Sequence, residues 1–158
     1  MSQPQQEFVN LITQIMERLG IQSFDTQATS YRFSFANEPA IFLCYRGEGW
    51  AELVTGADRL TDDPRRKTAL ALLELQGQQP NPAFCLAADK ESGAIRVFHR
   101  FRFAQYRALD ILDTLKALRV FAGQVRAVID QAVPPAGSAT SDGSERFKLN
   151  PHLRLQNW

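Results

Sequence analysis

Residues 31–55, YRFSFANEPAIFLCYRGEGWAELVT, read as three β-strands in succession. Tyr31, Phe33 and Phe35 alternate with Arg32, Ser34 and Ala36, the period of two that marks a strand with one face buried. Asn37-Glu38-Pro39 reads as a turn, Ala40 to Tyr45 as a short dense strand, and Gly47-Glu48-Gly49 as a second turn. Trp50 to Thr55 is the third strand. Three strands joined by tight turns predict an antiparallel meander.

Helical patterns lie on both sides of this block. Phe8, Leu11, Ile12, Ile15, Met16 and Leu19 recur at helical spacing from Gln5 to Leu19, and Gly20 stands at the usual stop. Thr61, Asp62 and Asp63 before Pro64 carry the signals of a helix start. That helix holds Leu70, Leu72, Leu73 and Leu75 and stops at Gly77. Two further strands, Ala83–Ala88 and Ala94–Phe103, flank the turn Asp89–Gly93. From about Tyr106 to Ala132, Ile111, Leu115, Leu118, Ala122, Val125 and Ile129 form one continuous apolar seam. The expected order is α-β-β-β-α-β-β-α, an α+β fold with one largely antiparallel sheet packed by helices.

With 158 residues, the chain fits one domain, expected over 1–133, followed by a tail over 134–158. Residues 136–145 are mostly small or polar and predict a flexible linker. Beyond it, Phe147, Leu149, Leu153, Leu155 and Trp158 could dock on the protein itself or stay inert. No apolar run reaches the roughly 18–20 residues of a membrane span, and the start lacks a secretory pattern, so a soluble cytoplasmic protein is expected. Cys44 and Cys85 read as two buried, reduced thiols.

Chemistry is sparse. His99 and His152 lie far from any Cys or carboxylate at metal-ligand spacing, and no phosphate loop or nucleophile elbow occurs. Asp62 with Asp63, and Asp110 with Asp113, read as helix-start carboxylates before they read as acid–base pairs. The sequence therefore predicts no enzyme, no metal and no cofactor. Arg96, Arg100, Arg102 and Arg107 interleave with Phe98, Phe101 and Phe103, a pattern that can hold single-stranded nucleic acid. Ordinary strand alternation is the favoured reading: rings inward, arginines toward water or a partner's carboxylates. Net charge favours the second reading, because the chain stands at only +1.

Ile41-Phe42-Leu43-Cys44-Tyr45 is apolar on both strand faces. The domain dimerises, offers an apolar surface to an extended partner, or has its first and last helices over opposite faces.

Several stretches resemble the class I chaperones of bacterial type III secretion, the Tir-chaperone (CesT-like) family. They are Phe8–Ile12 running to Met16-Glu17-Arg18-Leu19-Gly20-Ile21, then Phe33-Ser34-Phe35 and Ile41-Phe42-Leu43. Ala69-Leu70-Ala71-Leu72-Leu73-Glu74-Leu75 and the pair Phe84–Ala87 and Ala94–Val97 complete a match over about Glu7–Ala132. The resemblance implies a homodimer that binds the unfolded N-terminal segment of a secreted effector in the bacterial cytoplasm. It implies no nucleotide or other cofactor and no small-molecule substrate, nucleic acid or membrane partner. Leu70, Leu72, Leu73, Leu75, Phe84 and Leu86 would form the dimer interface. Leu11, Ile15, Phe33, Phe35, Ile41, Leu43, Trp50 and Leu53 would contact the effector. A regulatory or adaptor protein of the same fold, binding a folded partner, is the alternative.

Overall fold

A computed structural model describes residues 2–59, 65–79 and 84–132. The helix-start signals at 61–64, His152 and the tail at 134–158 lie outside the described residues. The elements run α1 (Gln3–Arg18), β1 (Ser30–Phe35), β2 (Glu38–Tyr45), β3 (Trp50–Arg59), α2 (Arg65–Gly77), β4 (Cys85–Ala88), β5 (Ala94–Arg102) and α3 (Ala108–Ala132). The expected order of helices and strands holds, with one 3-10 turn, Phe103–Gln105, added before α3.

The five strands form one antiparallel sheet in the order β1-β2-β3-β5-β4. Local chemistry sets the turns. Phe35 pairs with Glu38, so the β1–β2 turn is shorter than expected and β2 begins at Glu38. Asn37 takes the left-handed conformation there, φ 60°, which Asn tolerates better than most residues. In the β4–β5 turn, Asp89 Oδ1 accepts hydrogen bonds from the Glu91 and Ser92 N–H groups and the Ser92 hydroxyl. β3 runs on to Arg59 because β5 pairs with it as far as Ala94.

α1 ends in a Schellman arrangement. The Ile21 N–H donates to Met16 O at 2.9 Å and the Gly20 N–H to Glu17 O at 3.1 Å, with Gly20 at φ 72°. At the start of α3, the Arg107 N–H donates to Asp110 Oδ2 at 2.8 Å, so Asp110 closes the first turn.

α3 lies against β3 and β5, and α1 and α2 pack against α3. Its whole seam, Ile111, Leu115, Leu118, Ala122, Val125 and Ile129, is buried, as its spacing requires. Each such Leu or Ile contributes roughly 1.5–3 kcal/mol of burial. The inward strand positions Ile41, Leu43, Ala51, Leu53, Val97 and Phe101 complete this core. Phe8 of α1 meets the rings of Tyr31, Tyr45 and Phe103, so α1 covers the same face of the sheet as α3. The first and last helices therefore do not divide the two faces between them.

Cys44 and Cys85 are both free, on strands three spacings, about 14 Å, apart. Cys44 is buried and Cys85 half-buried, a correction to the expectation of two buried thiols.

Candidate functional site

The residues expected at a partner surface separate by strand alternation. Leu11, Ile15, Ile41, Leu43 and Leu53 are at most 6% exposed and belong to the chain's own core. Phe33 and Phe35 are half-buried on the helix side of β1 and pack against that core. Trp50 is half-buried on the opposite face of the sheet, where it pairs with Arg102. Its ring lies 5.0 Å beneath the Arg102 guanidinium. The eight side chains thus form no single surface. Strand register places Phe33 and Trp50 on opposite faces, and nothing in the residue pattern alone indicates which face the helices cover.

Among the described residues β1 is an edge strand, paired only with β2. The backbone groups along its open side are the kind of template that an extended segment can join. Phe33 and Phe35 lie beside that edge. Arg119 of α3 fixes the end of the edge, donating from Nε and Nη2 to Glu38 Oε2 and Oε1 at 2.8 and 3.0 Å. The same guanidinium sits 4.0 Å over the Phe35 ring. These hydrogen bonds hold the Glu38 carboxyl below its usual range. Tyr31 anchors the other end, its hydroxyl donating to Asp25 O at 2.8 Å; burial pushes its pKa up to about 12.

The residues expected at a dimer interface also divide. Leu72 and Phe84 are about 5% exposed, and Leu75 and Leu86 pack against the core. The reason is helical spacing: Thr68, Leu72 and Leu75 form the stripe of α2 that turns inward. Leu70 and Leu73 fall outside it and are 57% and 65% exposed. Three residues apart, they share one exposed face of α2.

The Arg-rich strand follows the alternation reading. Phe101 and Phe103 are buried, whereas Arg100 and Arg102 are exposed. Arg100 Nη2 donates to Glu52 Oε2 at 3.1 Å, and Arg46 Nη2 to Glu52 Oε1 at 2.6 Å. Arg107 is held by Asp110, whose carboxyl is kept low by those hydrogen bonds. His99 is buried among Phe84, Phe101 and Tyr106, with its Nε2 3.0 Å from the Tyr106 hydroxyl. Among the described residues no three His, Cys, Asp or Glu side chains gather as a metal site, and no helix is long and apolar enough to cross a membrane.

No protein-family model and no curated protein matches the sequence. Solved structures match the fold. One is a chain of the HopA1-SchA chaperone-effector complex, at TM-score 0.64 and 15% identity, covering 80% of this chain and 98% of that one. This is the secretion-chaperone fold. Another is a chain of the complex of the Yersinia pestis type III secretion chaperone SycH with a stable fragment of YscM2, at TM-score 0.60 and 14% identity, covering 75% and 98%. YbjN, a putative transcription regulator from E. coli, shares the fold at TM-score 0.54 and 10% identity over 77% of this chain and 89% of that one.

Proposed function

We propose that this protein is a class I secretion chaperone of the Tir-chaperone (CesT-like) kind. It works in the bacterial cytoplasm as a homodimer, holding the extended N-terminal segment of a secreted effector soluble and ready for export. The observation that carries this reading is the fold it has in common with chains of chaperone–effector complexes. The open edge of β1 supports it. There a segment would gain backbone hydrogen bonds and set alternate apolar side chains against Phe33 and Phe35. Leu11, Ile15, Ile41, Leu43 and Leu53 would support that edge from beneath, and Trp50 would face a segment passing to the other side. Leu70 and Leu73 would meet their copies across the dimer. Leu72, Leu75, Phe84 and Leu86 would hold that face in place from inside. Holding a chain unfolded takes binding energy and no catalysis, so the reading needs no cofactor.

Light scattering and co-expression test it. A dimer near twice 17.8 kDa is expected, falling to a monomer when Leu70→Asp and Leu73→Asp are combined. The N-terminal segment of an effector encoded beside the gene should be soluble only when co-expressed, and Phe33→Asp should abolish that rescue. A monomer at micromolar concentration that leaves the segment insoluble would overturn the proposal. The fold of YbjN supports a second reading, an adaptor for a folded partner. In that case the partner alone would show a cooperative thermal transition.

A further inference from the structure

The sheet face turned away from the helices carries a pattern that neither the core nor the β1 edge uses. Strand register places Arg32, Phe42, Val54, Phe98 and Cys85 in one line across all five strands. Phe42, Val54, Phe98 and Cys85 are each half-buried, and none belongs to the main core or packs against it. They form a stripe three strand spacings long, about 14 Å. That matches two to three turns of a helix lying across the strands.

Positive charge flanks the stripe. Cys44, Glu52 and Arg100 line one side, with Trp50 and Arg102 beyond them, while Gly56, Arg96 and Ala87 line the other. The outward positions of β1 and β5 carry Arg32, Arg96, Arg100 and Arg102, and Arg46 follows β2. Two carboxylates stand at outward strand positions, Glu52, which is 7% exposed and held by Arg46 and Arg100, and Asp58 near the end of β3, while Asp89 of the β4–β5 turn interacts with Arg96. Among the outward strand positions arginines outnumber carboxylates, Arg32, Arg96, Arg100 and Arg102 against Glu52 and Asp58, so the face carries surplus positive charge.

We propose that this face docks an acidic amphipathic segment of a partner protein. The segment's apolar residues lie along Phe42, Val54 and Phe98, and its carboxylates meet Arg32 and Arg96. A second copy of the chain would bring like charges together. The chain's own residues 146–158 contain Arg146, Lys148 and Arg154 but no Asp or Glu, so their side chains supply no carboxylate for these arginines. Nucleic acid fits less well: a carboxylate sits in the middle of the patch, and Arg102 already covers Trp50. The docking face is separate from the β1 edge and from Leu70 and Leu73, so it stands or falls independently of the chaperone reading.

The test is an amide chemical-shift titration of the full chain with a synthetic peptide of about 14 residues, four helical turns. The peptide carries Leu at helical spacing and Glu elsewhere; a matched peptide has Lys in place of Glu, and an oligothymidine serves as the third probe. The proposal expects saturable micromolar binding of the Glu peptide, with shifts centred on Phe42, Val54 and Phe98. The combined variant Arg32→Glu, Arg96→Glu should weaken binding roughly tenfold or more, and added salt should weaken it too. Phe98→Asp should do the same; should it unfold, the arginine variant alone decides, with its urea midpoint as the check on folding. No saturable binding, equal binding of the Lys peptide, shifts on the helix side, or tighter binding of oligothymidine would each overturn the proposal.

Discussion

The two faces of the sheet come from the same strands and differ in what lies over them. On the inner face, Leu43, Leu53 and Val97 have no measurable exposure, because α1 and α3 close over them. On the outer face their immediate neighbours Phe42, Val54 and Phe98 remain half-open and are bordered by arginines. Residues one step apart in sequence, of similar apolar character, therefore do different work: one set holds the fold together, and the other is available to a partner. A helix layer on one side only is what makes this difference, since an antiparallel sheet tolerates water on its free face.

The largest expected effect sets the two faces directly against each other. Leu43→Ala should cost about 2–5 kcal/mol in urea unfolding, because it opens a cavity in a sealed core. Phe42→Ala, one residue away, should cost about 1 kcal/mol or less, since its site is already half in water. Similar losses at the two positions would mean that something covers the outer face as well.

A smaller effect tests the polar centre of the outer face. Glu52→Gln keeps the shape but removes the charge that Arg46 and Arg100 share. A loss of about 1 kcal/mol in unfolding free energy is expected, the difference between charge-assisted and neutral hydrogen bonds. The same change makes the face more positive, so the Glu peptide should bind more tightly to it while the fold weakens.

The smallest effect is acid sensitivity. Glu38, Asp89 and Asp110 are held below their ordinary range by Arg119, by the Ser92 turn and by Arg107 respectively. A carboxylate depressed in the folded state stabilises it above the ordinary carboxylate values of about 4. That stabilisation is lost as pH falls through the lower folded values. The urea midpoint should be level from neutral pH to about 5 and decline below about 4. Glu38→Gln should flatten part of the decline, because it removes one of the carboxylates whose protonation in acid costs the fold its Arg119 pairing. A midpoint that falls between pH 7 and 5 would point to groups other than these.

Much of this architecture was legible in the residues. The seam Ile111–Ile129 spaced itself for one buried helix face, and every member is buried. Arg100 and Arg102 alternated with Phe101 and Phe103, and the strand sorts them outward and inward accordingly. The candidate sites were less legible. Leu70, Leu72, Leu73 and Leu75 look alike as a sequence, yet only Leu70 and Leu73 are open. Helical period fixes which leucines share a face, but which face meets α3 depends on how the helices pack. The Arg46–Glu52–Arg100 cluster gave no local signal, because Glu52 and Arg100 are 48 residues apart.

By itself, the sequence determined which stretches become helix and which become strand, and which residues share a face. Those are consequences of a chain's own periods, 3.6 and 2, and of the turn chemistry of Asn37, Gly47 and Gly93. Only the tertiary structure decided that the three described helices gather on one side and that strand register joins Phe42, Val54, Phe98 and Cys85 in a line. The physical reason is that packing and register couple residues far apart in the chain. Whether a side chain ends in core or at surface depends on what another element places over it.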